Sequence, residues 1–262
     1  MTSNPSFSAA AEICARFPAR LGLSLKALDG SFAWSHQGDS IFPAASVIKV
    51  PILLEIYRLA SEGQLSLDET VRLSAHHKVG GAGVLLELHE GLELTLEDLC
   101  RLMIVVSDNT ASNLLLERAG FAGVNALMAR LGMANSHIGR WFMEASTPER
   151  DNRMTAEDAT VCLLELARGE LLGARTQQAL AILRRQQYRE KIPLRLPEEL
   201  SVAHKTGELD GIRHDAALVE LPGQPYVLSL FTDFRDTANA PWEVDRALAD
   251  VSYEIYKALK DS

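Results

Sequence analysis

The hydropathy pattern changes period twice along this 262-residue chain, and that order does most to restrict its fold. After a short helical stretch at residues 6–16, Leu21-Gly-Leu-Ser-Leu-Lys-Ala-Leu28 alternates apolar and polar side chains, and Phe32-Ala-Trp-Ser35 follows. Asp29-Gly30 between them is a hairpin signal. From Ala44 to Ala60 the pattern turns helical and strongly apolar, with Pro51 early in the run, where a helix tolerates it best. Thr95 with Asp98, and Thr155 with Asp158, read as capping boxes ahead of helices at 96–106 and 159–168. A helix over 110–119 stops at Gly120, a natural C-cap. Residues 139–154 show no periodicity, and structureless loops of that length are often functional. Strand patterns return at 200–206, 215–221 and 226–232, the last two separated by Pro222-Gly223, and 242–259 closes as an amphipathic helix. Strands, helices, then strands predict an α+β fold. A sheet domain is assembled from residues 1–43 and 190–262, with a helical domain of residues 44–189 inserted; the two form one structural unit with the site between them.

The formal net charge of −9 argues against nucleic acid or an anionic membrane surface as partner, since both call for clustered Lys and Arg. Cys14, Cys100 and Cys162 are far apart and form no Cys-x-x-Cys motif. The last two fall in apolar helical runs, where a reduced thiol serves as a small hydrophobe. The histidines lack ligand spacing, as at His76-His77 and His89-Glu90, so neither a metal nor another cofactor is expected. No basic segment followed by an apolar run opens the chain, and no stretch reaches the roughly 18 apolar residues of a membrane span. The expectation is a cytoplasmic protein, although a secreted chain trimmed of its leader would read the same way.

Three short motifs carry chemistry. In Ser46-Val-Ile-Lys49 the hydroxyl and amine share a helix face, and Lys49 lies in the apolar run through Leu54. A lysine buried there must be neutralised or paired, and a neutral amine is a base for the Ser46 proton. Taken alone, the motif also describes a solvated surface pair. Ser107-Asp108-Asn109 sits between two apolar helices, where Asp or Asn caps the next helix. Ser107 is a candidate proton relay to a leaving group, and Asn109 a holder of the lysine or of a substrate amide. Lys205-Thr206-Gly207 ends a strand, and glycine there marks close backbone approach, by a ligand or simply by a turn. Lys205 and Thr206 offer charge and a hydroxyl to a carboxylate, and the amides of Glu208 and Ser46 would make an oxyanion hole.

Together, in this order and on a helix start, an inter-helix loop and a strand, these motifs resemble those of class A β-lactamases and penicillin-binding proteins. The resemblance runs from near residue 19 to the C-terminal helix. It implies a five-stranded antiparallel sheet flanked by helices plus an all-helical domain, and a serine hydrolase that forms an acyl-enzyme through Ser46. Two departures stand out. Arg140-Trp141-Phe142 places Phe142 where the family's omega-shaped loop carries its deacylating glutamate, leaving Glu144 as the nearest carboxylate, either a partial substitute or a solvent-facing side chain. That loop is shorter than usual, with Arg140 and Asp151 as its closing pair. Arg213 is the one candidate for the family's carboxylate-binding arginine on the neighbouring strand, at an offset that is not identical. Gly80 to Leu85 resembles the loop bordering the site.

The expected substrate is a small molecule, a β-lactam or a related amide or ester, turned over slowly for want of the glutamate. A penicillin-binding-protein-like peptidase, amidase or esterase is the catalytic alternative, and a non-catalytic ligand-binding module is the alternative of another kind. The oligomeric state is not legible in the sequence.

Overall fold

The computed structural model describes residues 5–147 and 150–260; Pro148 and Glu149 of the expected omega-shaped loop lie outside them. The chain opens with α1 (Ser8–Arg16), the hairpin β1 (Arg20–Ala27) and β2 (Ala33–His36), and the two-residue strand β3 (Phe42–Pro43). A 3-10 turn at Ala45–Ile48 feeds α2 (Lys49–Ser61), after which β4 (Thr70–Arg72) and β5 (Glu93–Thr95) pair with each other. Then come α3 (Leu96–Val105), α4 (Asn109–Ala119), α5 (Phe121–Arg130), β6 (Arg153–Met154), α6 (Ala156–Arg168) and α7 (Thr176–Leu183). The chain ends with β7 (Val202–Leu209), β8 (Ile212–Val219), β9 (Tyr226–Asp233) and α8 (Pro241–Lys260).

One antiparallel five-stranded sheet runs in the order β2-β1-β9-β8-β7, as the family resemblance implies. β1 pairs along its whole length with β9, Leu23 opposite Leu230, so strands from both ends of the sequence share the sheet centre. Every residue of β9 is buried, because both sheet faces are covered. On one face α8 lays down Val244, Leu248, Val251, Ile255 and Leu259, a row at helical spacing, against Leu21, Leu23 and Leu25 of β1. On the other face lies α6, with Thr160 Oγ1 donating to Ser229 Oγ at 2.9 Å and Ser24 Oγ donating to Glu157 at 2.7 Å. Sheet residues Ala203, Ala216, Leu218, Val227 and Phe231 belong to the same apolar core as the helices, so no core boundary separates the inserted helices from the sheet.

At the centre of the helical part, α2 is buried on nearly every side from Val50 to Tyr57, as a helix apolar all round must be. The expected helix from Ala44 begins as a tight 3-10 turn and becomes α-helical only at Lys49, with Pro51 in its first turn where no donor is missed. Thr95 and Asp98 form their reciprocal capping box. Thr155 caps Asp158 N at 3.0 Å, but the Asp158 carboxylate departs from the expected box and accepts instead from Asn135 N and Ser136 Oγ. Among the described residues no helix is long and apolar enough to cross a membrane, and no cluster of side chains has the makings of a metal site. The three cysteines are free and buried, in separate places.

Candidate active site

Ser46 sits in the 3-10 turn at the N-terminal end of α2, half-buried at the edge of a cleft of about 470 Å³. Ala45, one residue earlier, holds φ at 46°, and Ser107 and Met143 are likewise left-handed, at 56° and 71°. Left-handed backbone is costly for residues other than glycine and concentrates where a structure holds functional geometry. All three border this site, and Ala45 and Met143 line the cleft itself. β7 crosses close behind the turn: a Cβ added at Gly207 would lie 3.1 Å from Ser46 N, Ala45 Cβ and Val47 Cγ2. Glycine at 207 is therefore a packing requirement of the serine turn.

Lys49 lies one turn along from Ser46 and is fully buried. Its ammonium donates to Ser107 O at 2.7 Å, Asn109 Oδ1 at 2.8 Å and Ser107 Oγ at 3.1 Å, and none of the three bonds goes to Ser46. Burial, reinforced by the Lys205 charge and only partly offset by Asp108, holds the Lys49 amine well below the ordinary lysine range. Asn109 thus holds the lysine; its Nδ2 also donates to Gly80 O at 3.0 Å. Asp108 locks the frame from beneath. Its Oδ1 accepts from Ala111 N, capping α4, and its Oδ2 accepts from Val84 N at 2.6 Å and Leu85 N at 2.8 Å. The glycine-rich loop at 80–85 is thereby pinned against the site, and Gly81 and Ala82 line the cleft.

Lys205 and Gly207 share the face of β7 that meets the serine turn, since strand side chains alternate. The Lys205 ammonium, fully buried, donates to Thr206 O at 2.7 Å. Burial brings it down to about 7, with Lys191 lowering it further and Asp215 and Glu208 opposing. Thr206, Glu208 and Arg213 face the other way, Glu208 directly opposite Arg213 on β8. Glu208 and Leu209 line the cleft, whereas Arg213 is not part of the lining. The Arg213 guanidinium donates to Leu209 O at 3.0 Å and Ile212 O at 2.8 Å, and lies 3.7 Å from Asp245 of α8. The arginine expected to meet a substrate carboxylate is, in this structure, occupied by the protein.

The loop from residue 139 folds over the cleft by means the sequence did not advertise. Arg140 and Asp151 pair at 2.9 Å, as expected. Asn152 Oδ1 accepts from Gly139 N and Arg140 N, and Asn113 holds Phe142 through both its backbone N–H and carbonyl. No sequence signal marks Asn113, which is an interior position of α4 far from the loop in the chain. Phe142 is buried with its ring over the Lys49 ammonium, the centroid 4.7 Å from Nζ. Glu144 lines the mouth of the cleft, its side chain 44% exposed and 3.3 Å from Arg150 Nη2.

Comparison with known proteins shows the family and the fold. The family profile described as the Beta-lactamase enzyme family matches residues 6–259, and the chain belongs to that family. It is 31% identical to Beta-lactamase AST-1 of Nocardia asteroides over 252 residues, which are 92% of this chain and 79% of that one. A beta-lactamase of Rhodobacter capsulatus is 28% identical over 252 residues, 93% of this chain and 84% of its own. Among solved structures, the beta-lactamase from Sphaerobacter thermophilus matches with a TM-score of 0.91 at 32% identity, covering 98% of this chain and 99% of that one. PBP-A matches with a TM-score of 0.89 at 28% identity, covering 100% and 99%. A PBP-A variant solved as its acyl-enzyme complex with penicillin G also scores 0.89, at 28% identity with full coverage of both chains.

Proposed function

We propose that this protein opens β-lactams by acyl transfer to Ser46 and then hydrolyses the resulting ester slowly. The observation that carries the reading is the buried Lys49 amine, depressed by its surroundings and held one turn from Ser46 by Ser107 and Asn109. In its neutral form Lys49 takes the Ser46 hydroxyl proton while Ser46 Oγ bonds to the lactam carbonyl carbon. Charge gathers on the carbonyl oxygen, which the amides of Ser46 and Glu208 face in the proposed pose. Ser107 is both donor and acceptor, so it can turn its hydroxyl toward the substrate. It delivers a proton to the lactam nitrogen as the C–N bond breaks and recovers one from Lys49. Lys205 and Thr206 are assigned to a substrate carboxylate, and Arg213 to the same region once released from its carbonyl partners.

Water must then attack the Ser46 ester, and that step needs a base. Phe142 cannot accept a proton, and Glu144 lies at the cleft mouth beside Arg150. The acyl-enzyme is therefore long-lived, with Glu144 at most an inefficient base. Mixing the protein with benzylpenicillin and recording intact mass tests the reading. The expected result is a stoichiometric adduct that decays slowly and maps to Ser46; no adduct, or an adduct that persists in Ser46→Ala, overturns it. A peptidase or amidase on this scaffold would share the acylation step, and the structure of PBP-A keeps that second reading in view. Release of an amine from acylated peptides faster than from penicillins would favour it.

A further inference from the structure

On the face of β7 turned away from Lys49, four charged side chains meet at the cleft's edge. Lys191, with no exposed surface, donates to Glu208 Oε1 at 2.6 Å and lies 3.6 Å from Asp245 Oδ1. Arg213, across the strand pair from Glu208, stands 3.7 Å from that same Asp245 oxygen. Two basic side chains thus face two carboxyl groups, the Asp245 carboxyl pushed above the usual range by its burial. Thr206, whose hydroxyl is assigned to a substrate carboxylate, belongs to the same strand face. Of the four, Glu208 is the one that also lines the cleft, and its side chain is 47% exposed. On this strand face a carboxylate arriving beside Thr206 therefore meets the Glu208 carboxylate, because Lys191 and Arg213 are already held by the protein's own acids; the cation left to it is Lys205, on the opposite face.

We propose that Glu208 is a specificity-determining residue: its carboxylate occupies the Lys191 ammonium that a substrate carboxylate would otherwise use, so the site disfavours anionic acyl donors relative to neutral ones. The inference rests on the reading of Ser46 as the acylated nucleophile and adds the charge class of its substrates. The chemistry is competition. An entering carboxylate must either displace Glu208 from Lys191 or sit beside a second negative charge in a half-desolvated cleft, and both cost free energy. Glu208 is fully ionised near neutrality: burial alone would raise its carboxyl, but the Lys191 ammonium, with Arg213 and Lys205 behind it, brings it below the usual range. Being half-exposed, it can rotate into solvent once its bond is replaced.

The test compares benzylpenicillin with its neutral methyl ester. In Glu208→Gln the second-order acylation rate by benzylpenicillin should rise about tenfold, the worth of one charge-assisted hydrogen bond to a freed ammonium. Acylation by the methyl ester should change far less, so the acid-to-ester ratio of rates is the readout, and any effect of the substitution on the Glu208 amide falls on both substrates alike. Adding Lys191→Met should cancel the gain for the acid. An equal gain for acid and ester, or no gain for the acid, overturns the proposal. Because Lys191→Met alters a buried position, the Glu208→Gln comparison decides the matter even if the double variant fails to fold. Calorimetric binding of benzylpenicillin to Ser46→Ala, with and without Glu208→Gln, keeps this question separate from the chemistry of acylation. Tighter binding with the glutamine supports the proposal even if no adduct ever forms on Ser46, and unchanged or weaker binding sinks it.

Discussion

The Phe142 ring lies over the Lys49 ammonium, its centroid 4.7 Å from Nζ. The ring face would favour the protonated amine, against the burial that holds Lys49 well below the ordinary lysine range, and it offers no site for a proton. A carboxylate at 142 would enter the space next to the Ser46 ester and the lysine. Phe142→Glu is expected to leave acylation nearly unchanged and to speed loss of the acyl group by about 10²-fold, the lower range for a positioned general base. Time-resolved mass spectrometry of the penicillin adduct reads both steps. An adduct as persistent as in wild type would show that this position cannot deliver water.

Glu144 gives the complementary expectation. Its side chain is half-exposed and its partner is Arg150, which ties it to the loop and away from the buried lysine. Exposed pairs of this kind contribute little. Adduct decay in Glu144→Gln should match wild type within error. A clear slowing would make Glu144 the deacylation base after all.

The roles proposed for Lys49 and Lys205 give acylation a pH dependence whose sign can be worked out. Lys49 must be neutral to accept the Ser46 proton, and its surroundings already favour that form. Lys205 must be charged to attract a carboxylate, and it loses its proton at about 7. Acylation by benzylpenicillin should therefore fall as the pH rises past about 7, whereas acylation by the methyl ester should not. Lys205→Arg, whose guanidinium keeps its charge, should extend the activity with the acid toward alkaline pH. A parallel decline for acid and ester would assign the limb to another group.

His214 links the sheet to the serine turn and is neutral in the fold. Its Nε2 donates to Pro43 O at 2.8 Å, and its Nδ1 accepts from Thr232 N at 3.1 Å, so a second proton would face a donor. Burial lowers its pKa to about 4. Unfolded histidine titrates near 6.5, so between about 4 and about 6.5 the unfolded chain binds more protons and stability rises with pH. The contribution is complete above about 6.5 and is lost as the pH falls, amounting to about 3 kcal/mol by pH 4. Urea unfolding at several pH values, compared with His214→Gln, should show a flatter acid limb in the variant. Identical limbs would rule His214 out as the source.

Gly207→Ala tests the approach of β7 to the nucleophile. The new methyl group would press on Ser46 N and on the Ala45 and Val47 side chains at 3.1 Å, so the serine turn has to move. Small displacements of reacting groups cost about 10²-fold in rate. Acylation should drop by that order, with a stability loss of about 1–3 kcal/mol typical of overpacking. Unaltered acylation would mean the turn gives way without moving the hydroxyl.

What could be read from the sequence was local. Asp29-Gly30, the Thr95–Asp98 box and the three candidate catalytic motifs each declare themselves within a few residues, and Lys49 betrayed its burial by the apolar run around it. The partners of those residues are tertiary. Asn113 reaches Phe142 only because α4 passes under the loop, and Lys191 meets Glu208 only because the segment before β7 folds back behind it. Asp158 shows the same limit from the other side, where a capping pattern was present but Asn135 and Ser136 competed for the carboxylate. Arg213 was found on the expected strand, yet nothing local foretold that main-chain carbonyls and Asp245 would claim its guanidinium.

The pairing of β1 with β9 has a bearing on how the molecule is made. Leu23 pairs early with His36 across the hairpin, but its second neighbour, Leu230, leaves the ribosome only near the end, so one edge of the first strand waits through nearly all of translation unmatched. Meanwhile α2, α3 and α4 can pack on one another through contacts between near neighbours in the chain. Lys49 would then be enclosed among Ser107 and Asn109 before Lys205 arrives on β7. On that order the hydrogen-bond partners of Lys49 would be in place before the strand that carries Lys205 closes over the candidate site.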